Sequence, residues 1–145
     1  MPSPPPVPVD PQRIALIKPS ALGDIMHSLP VLTALRQRFP ETHITWVVNQ
    51  LYEPLLHNHP DLDATLPFDR RLLRSGWLAG AWEFAQFLRL LRSRNFDLVI
   101  DLQGLLRTGL MSLATGARRR IGLASAREGA RWFYTDFVDD GNGAG

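Results

Sequence analysis

A lysine, a serine, a glycine and an aspartate lie within the seven residues KPSALGD, Lys18 to Asp24. An aspartate where a helix begins has two uses. Its carboxylate caps the first helical N–H groups, or it stands ionised as a base that takes a proton from a hydroxyl. Spacing alone leaves both open for Asp24. His27 and Ser28 follow at i+3 and i+4 and so share its helical face. Lys18, the only lysine beside fifteen arginines, is expected to hold the carboxylate ionised or to meet a negative ligand. Gly23 is expected to supply a backbone conformation or close approach that a side chain would forbid, beside helix-start N–H groups that attract an anionic or oxygen-rich ligand. The stretch has neither GxGxxG nor Gly-Lys-Ser/Thr, which argues against a standard dinucleotide site.

Such side chains need a frame. Arg13–Lys18, His43–Val48 and Asp97–Leu102 are continuous runs of Ile, Val and Leu, the pattern of parallel strands buried on both faces. Helical patterns fall between and after them, at Asp24–Phe39, Gln50–Asn58, Trp77–Arg94 and Leu105–Leu113. A brief strand is expected at Ala64–Leu66 and another at Arg119–Leu123. Pro30 predicts a short helical turn from Asp24 and a helix restarted near the proline, where it is tolerated. The alternation predicts a Rossmann-like α/β fold, a doubly wound parallel sheet with ligands outside the carboxyl ends of the strands. If the first and the FDLVID strands are neighbours, Asp24 and Gln103 share a crevice.

Composition bounds the class. The 145 residues, 45% hydrophobic and 21% charged, suit one soluble domain, and a net charge of +2 gives no reason to expect a nucleic-acid partner. With no cysteine, disulfides, zinc thiolates and Cys nucleophiles are excluded, which favours a reducing cytoplasm. The Pro-rich residues 1–12 are expected to be a disordered tail and 139–145, DDGNGAG, a frayed end or linker, leaving 13–138 as the folded domain.

The stretches IALIKPSALGDIMHSLPVL, FDLVIDLQGLLRTGLM and RRRIGL, in this order, resemble the N-terminal half of the ADP-heptose:lipopolysaccharide heptosyltransferases, glycosyltransferase family 9. The likeness runs from about Arg13 to Tyr134 and is nearest to the subgroup that adds the first inner-core heptose to Kdo. It implies the acceptor-binding domain of a two-domain GT-B enzyme, with the nucleotide-sugar domain absent from this chain. It also implies an inverting, metal-independent transfer from ADP-heptose to Kdo-lipid A, at the cytoplasmic face of the inner membrane. The family's catalytic base falls on Asp24, and a single positioned carboxylate suffices for an in-line displacement at an anomeric carbon. By the same likeness Lys18, Ser20 and Gly23 shape the crevice floor with His27 nearby, and Asp101, Gln103 and Gly104 hold sugar hydroxyls. Arg70, Arg71 and Arg74 fall on a basic loop that would grip acceptor phosphates and Kdo carboxylates, to which guanidinium groups are well matched. Arg118, Arg119 and Arg120 read instead as a surface rim.

Rival readings stay in view. Asp61 and Asp63 form a D-x-D with His57 and His59 close by, as a metal-dependent transferase would need, although such residues are simply favoured in turns. The Trp77–Arg94 helix is expected to pack in the core, or to rest Trp77 and Trp82 on a membrane interface. A non-catalytic module that binds anionic glycans, or one subunit of a split transferase, would use the same scaffold. Asp24→Asn separates these, since a binding module tolerates it and a transferase does not.

Overall fold

The computed structural model describes residues 10–69, 76–123 and 134–138. Strands β1 (Arg13–Ile17), β2 (His43–Asn49), β3 (Ala64–Phe68), β4 (Leu98–Asp101), β5 (Arg119–Leu123) and β6 (Asp136–Val138) form one sheet in the order β3-β2-β1-β4-β5-β6. Every pairing is parallel. The order reverses between β1 and β4, which are neighbours, so the sheet is doubly wound with its switch point where the sequence reading places it.

Both faces are covered, which is why the strands read as unbroken apolar runs. Helix α1 (Leu22–Arg38) covers one face, packing Ile25, Leu29, Leu32 and Leu35 on Ile14 and Leu16 of β1 and on Ile44, Trp46 and Val48 of β2. Helices α2 (Trp77–Ser93) and α3 (Leu106–Ala114) cover the other, setting Leu91, Phe84, Phe87 and Met111 on Ala15, Ile17, Val47 and Val99.

Several details differ from the sequence expectation. Helix α1 runs unbroken through Pro30. The proline is exposed and the carbonyl it leaves without a donor belongs to half-exposed Met26, so water can reach the gap. Gln50–Leu55 is a 3₁₀ helix, its start fixed by Asn49 Oδ1, which accepts from Leu51 N–H at 3.0 Å. Strand β3 extends through Pro67, tolerated because β3 is an edge strand that needs no donor on its open side. Strand β6 had no counterpart in the sequence reading.

Gln12, placed in the tail by the sequence reading, joins the sheet. Its N–H donates to Asp97 Oδ2 at 2.8 Å and its carbonyl accepts from His43 N–H at 2.9 Å. Residues 1–9, 70–75, 124–133 and 139–145 lie outside the described residues, and with them most of the expected tail, the linker, and Arg70, Arg71 and Arg74.

Candidate functional site

Two loops meet at the switch point, where the sequence predicts the crevice, one leaving β1 and one leaving β4. Their strands are adjacent, with Ile17 in register with Asp101, so the loops emerge side by side at the carboxyl edge. Lys18 joins them. Its backbone N–H donates to Val47 O at 3.2 Å, and its carbonyl accepts the Trp46 indole N–H at 3.0 Å. Its ammonium reaches across and donates to Leu102 O at 3.2 Å. The lysine therefore braces the two loops, and among the described residues it makes no ion pair with Asp24. Half-buried Ser20 follows Pro19, whose carbonyl accepts from Asn49 N–H at 2.9 Å and ties the loop to β2 as well.

Asp24 is exposed on the first turn of α1. It is not the cap residue: Ala21 is, and Asp24 stands three positions on. Its Oδ2 accepts from Ala21 N–H at 3.5 Å, at the outer limit of a hydrogen bond, which leaves the carboxylate open to another partner. Ser28 Oγ donates to the Asp24 carbonyl at 2.8 Å, and His27 is exposed on the same helical face. Gly23 corrects another expectation. It lies within the helix, and a Cβ there would meet nothing within 4 Å. No part of the described chain forbids a side chain at this position, and the space beside it is open.

The β4 loop is held from within. Asp101 is fully buried, and its Oδ1 accepts from Gln103 N–H at 2.9 Å and Gly104 N–H at 3.1 Å. Its Oδ2 accepts from the Tyr134 hydroxyl. Burial pushes this carboxyl's pKa up, opposed by the Tyr134 hydroxyl and the Gly104 and Gln103 N–H groups. Asp101 therefore cannot hold sugar hydroxyls as the sequence reading expected, because its oxygens face the protein. Gly104 permits the arrangement with φ +73°, a left-handed conformation that favours glycine. Gln103 is the half-buried end of this turn, and its buried Oε1 has no hydrogen-bond partner among the described residues. Tyr134 carries no sequence motif of its own that marks it as part of this turn. A glycine inside a strand, Gly122 in β5, was the available signal, since it commonly marks close approach of another group.

The rival metal loop lies elsewhere. Asp61 and Asp63 precede β3 and so sit at the amino edge, away from the crevice. Arg36 holds Asp63 Oδ2 at 2.6 Å, and the same oxygen accepts from Ile44 N–H at 2.7 Å. Asp61 accepts from Thr33 Oγ1 at 3.3 Å, and its N–H donates to His59 Nδ1 at 3.1 Å. These residues are occupied in building a turn.

Comparisons with known proteins converge. Residues 84–143 match the model of glycosyltransferase family 9 (heptosyltransferase). Lipopolysaccharide heptosyltransferase 1 of Escherichia coli O18:K1:H7 is 31% identical over 120 residues, covering 80% of this chain and 37% of that protein. The Pseudomonas aeruginosa protein of the same name is 34% identical over 122 residues, with 80% and 34% covered. The solved E. coli heptosyltransferase WaaC with ADP-2-deoxy-2-fluoro heptose superposes with a TM-score of 0.75 at 29% identity, covering 88% of this chain and 42% of that one. The chain thus spans well under half the length of the relatives it matches.

Proposed function

From a chain that belongs to glycosyltransferase family 9, we propose the acceptor-binding half of a heptosyltransferase that moves heptose from ADP-heptose onto the Kdo of the lipopolysaccharide inner core. The observation that carries this reading is the exposed Asp24 on the first turn of α1, which follows the loop leaving β1 at the switch point, while Gln103 follows the adjacent strand β4. As the acceptor hydroxyl attacks the anomeric carbon, Asp24 takes its proton and ADP leaves from the opposite face, so the configuration inverts. The orphan N–H groups at the start of α1 favour an oxygen-rich ligand there. Gly23 leaves room for it, and Gln103 offers an amide to a sugar hydroxyl. Lys18 and Ser20 shape the floor, His27 lines the rim, and Arg70, Arg71 and Arg74 supply positive charge for an acidic acceptor. The step needs no metal, so transfer is expected to persist in EDTA.

The test is Asp24→Asn in a protein where this chain replaces the matching segment of the E. coli relative. Turnover is expected to fall at least about 100-fold, the usual contribution of a general base, with affinity for a Kdo-bearing acceptor kept. Equal turnover by the two forms would remove Asp24 from the chemistry. The unpartnered Gln103 Oε1 also suits a second reading on the same scaffold, a glycan-binding module or one subunit of a split transferase. In that case the chain binds the acceptor, Asp24→Asn included, and the hybrid transfers nothing.

A further inference from the structure

We propose that Tyr134 and Gly122 are positioning residues that hold the Gln103 amide in the crevice. Gly122 pairs with Asp101 across the β4–β5 ladder, and the Tyr134 ring lies over it so closely that a Cβ built on Gly122 would overlap the ring carbons. Only glycine in that strand lets the ring lie there. The next residue fixes the ring's approach: Thr135 N–H donates to Arg120 O at 2.7 Å, and Arg120 N–H donates to Thr135 Oγ1 at 2.8 Å. From this seat the hydroxyl donates to Asp101 Oδ2, leaving Oδ1 to gather Gln103 N–H and Gly104 N–H into the tight turn that Gly104's left-handed φ allows. Lys18 closes the other side through Leu102 O. Gln103 is thus pinned through its own N–H and its neighbour's, and its buried side-chain oxygen, with no hydrogen-bond partner among the described residues, is the acceptor that a bound hydroxyl would satisfy.

A buried aspartate satisfied this way gains little for stability over an apolar residue of its size. Its effect is geometric, since it orders a loop that the strand alone would leave free. The placement of Gln103 is read from the chain's contacts; the ligand it would meet, an acceptor sugar hydroxyl, rests on the function proposed above.

Amide hydrogen exchange by NMR on the full chain tests the positioning. Tyr134→Phe keeps the ring over Gly122 and removes the hydroxyl. Gln103 and Gly104 amides are expected to exchange about 10-fold faster while Val99 and Ile100 in β4 are unchanged. Unaltered exchange at Gln103 and Gly104 overturns the proposal. So does a uniform rise along β4, which assigns the hydroxyl to stability alone. In the wild type, the Tyr134 hydroxyl proton is expected to show cross-peaks to both loop amides, and their absence overturns the proposal even if the variant does not fold. A Kdo-bearing oligosaccharide titrated into the same samples is expected to bind about 10-fold more weakly to Tyr134→Phe and to Gln103→Ala. Weakening by Gln103→Ala without weakening by Tyr134→Phe overturns the positioning. No binding by the wild type overturns the acceptor reading, while the exchange rates still decide the positioning.

Discussion

Arg36 does for the amino edge what Asp101 does for the carboxyl edge. Besides Asp63, its guanidinium donates to Asp61 O at 3.0 and 3.1 Å and to Thr42 O at 2.7 Å, sewing the end of α1 to the turns before β2 and β3. Burial raises the pKa of Asp63, yet the Ile44 N–H and the Arg36 guanidinium outweigh it and hold the carboxyl below its ordinary 3.8. His43 is held below 6.5 by burial first and Arg13 next, against the pull of Asp63. For both groups the unfolded chain binds the proton more readily, so stability falls as pH drops: for His43 below 6.5, for Asp63 below 3.8. Urea midpoints are expected to be lower at about pH 5.5 than at about pH 7.5, and His43→Gln is expected to flatten that difference. An equal slope in the variant would assign the dependence to other groups. Residue types announced Asp24 as chemistry at a helix start, but not that Ala21 would hold the cap. They offered Asp101 and Gln103 together as sugar ligands. The difference between them is burial, a property of the Tyr134 ring folded over from a stretch distant in sequence.

Among the elements, α1 is the one whose sequence and geometry conflict. Pro30 sits well inside a 17-residue helix and removes a backbone donor. A proline there costs about 3 kcal/mol, less here because the orphan carbonyl meets water and because proline also restricts the unfolded chain by about 0.4–1 kcal/mol. Pro30→Ala is therefore expected to raise stability by about 1–2 kcal/mol, read as a higher melting temperature. A loss instead would show that the helix needs the bend a proline imposes to lay Ile25 and Leu32 on the sheet together. The buried strands were legible because apolar continuity over both faces is a strong local signal. Gln50–Leu55 was legible as helical but not as 3₁₀, since the Asn49 side chain decides its first turn. Strand β6 was not legible at all: three residues carry no periodicity, and their strand character comes from pairing with β5.

At the scale of the molecule the two edges of the sheet are unlike. The amino edge is tied by side chains that bond to backbone, whereas most of the large apolar groups left in water stand at the carboxyl edge, on both flanks of the switch point. Leu22, Met26 and Leu51 stand on the α1 side; Trp77, at 80% exposed, Leu78, Trp82 and Leu106 stand on the α2 and α3 side. Between the last two helices runs a cavity of about 370 Å³ lined by Trp77, Phe84, Leu106, Arg107 and Leu110. The sequence reading placed α2 in the core or at a membrane interface, and the structure divides the helix. Phe84, Phe87, Leu88 and Leu91 pack inward, while its opening turns hold tryptophans outward. No helix among the described residues is long and apolar enough to cross a membrane, so any contact with lipid would be made from the surface. Exposed tryptophans with Arg107 in the cavity beside Trp77 suit the headgroup region of an anionic bilayer. The chain is expected to sediment with vesicles containing anionic lipid at low salt, and Trp77→Glu with Trp82→Glu is expected to lower that partitioning about 10-fold or more without changing the fold. Leu51→Glu, on the far flank, serves as the control. Equal loss in the control would make the contact a general property of the apolar edge, and no binding by the wild type would remove the membrane contact.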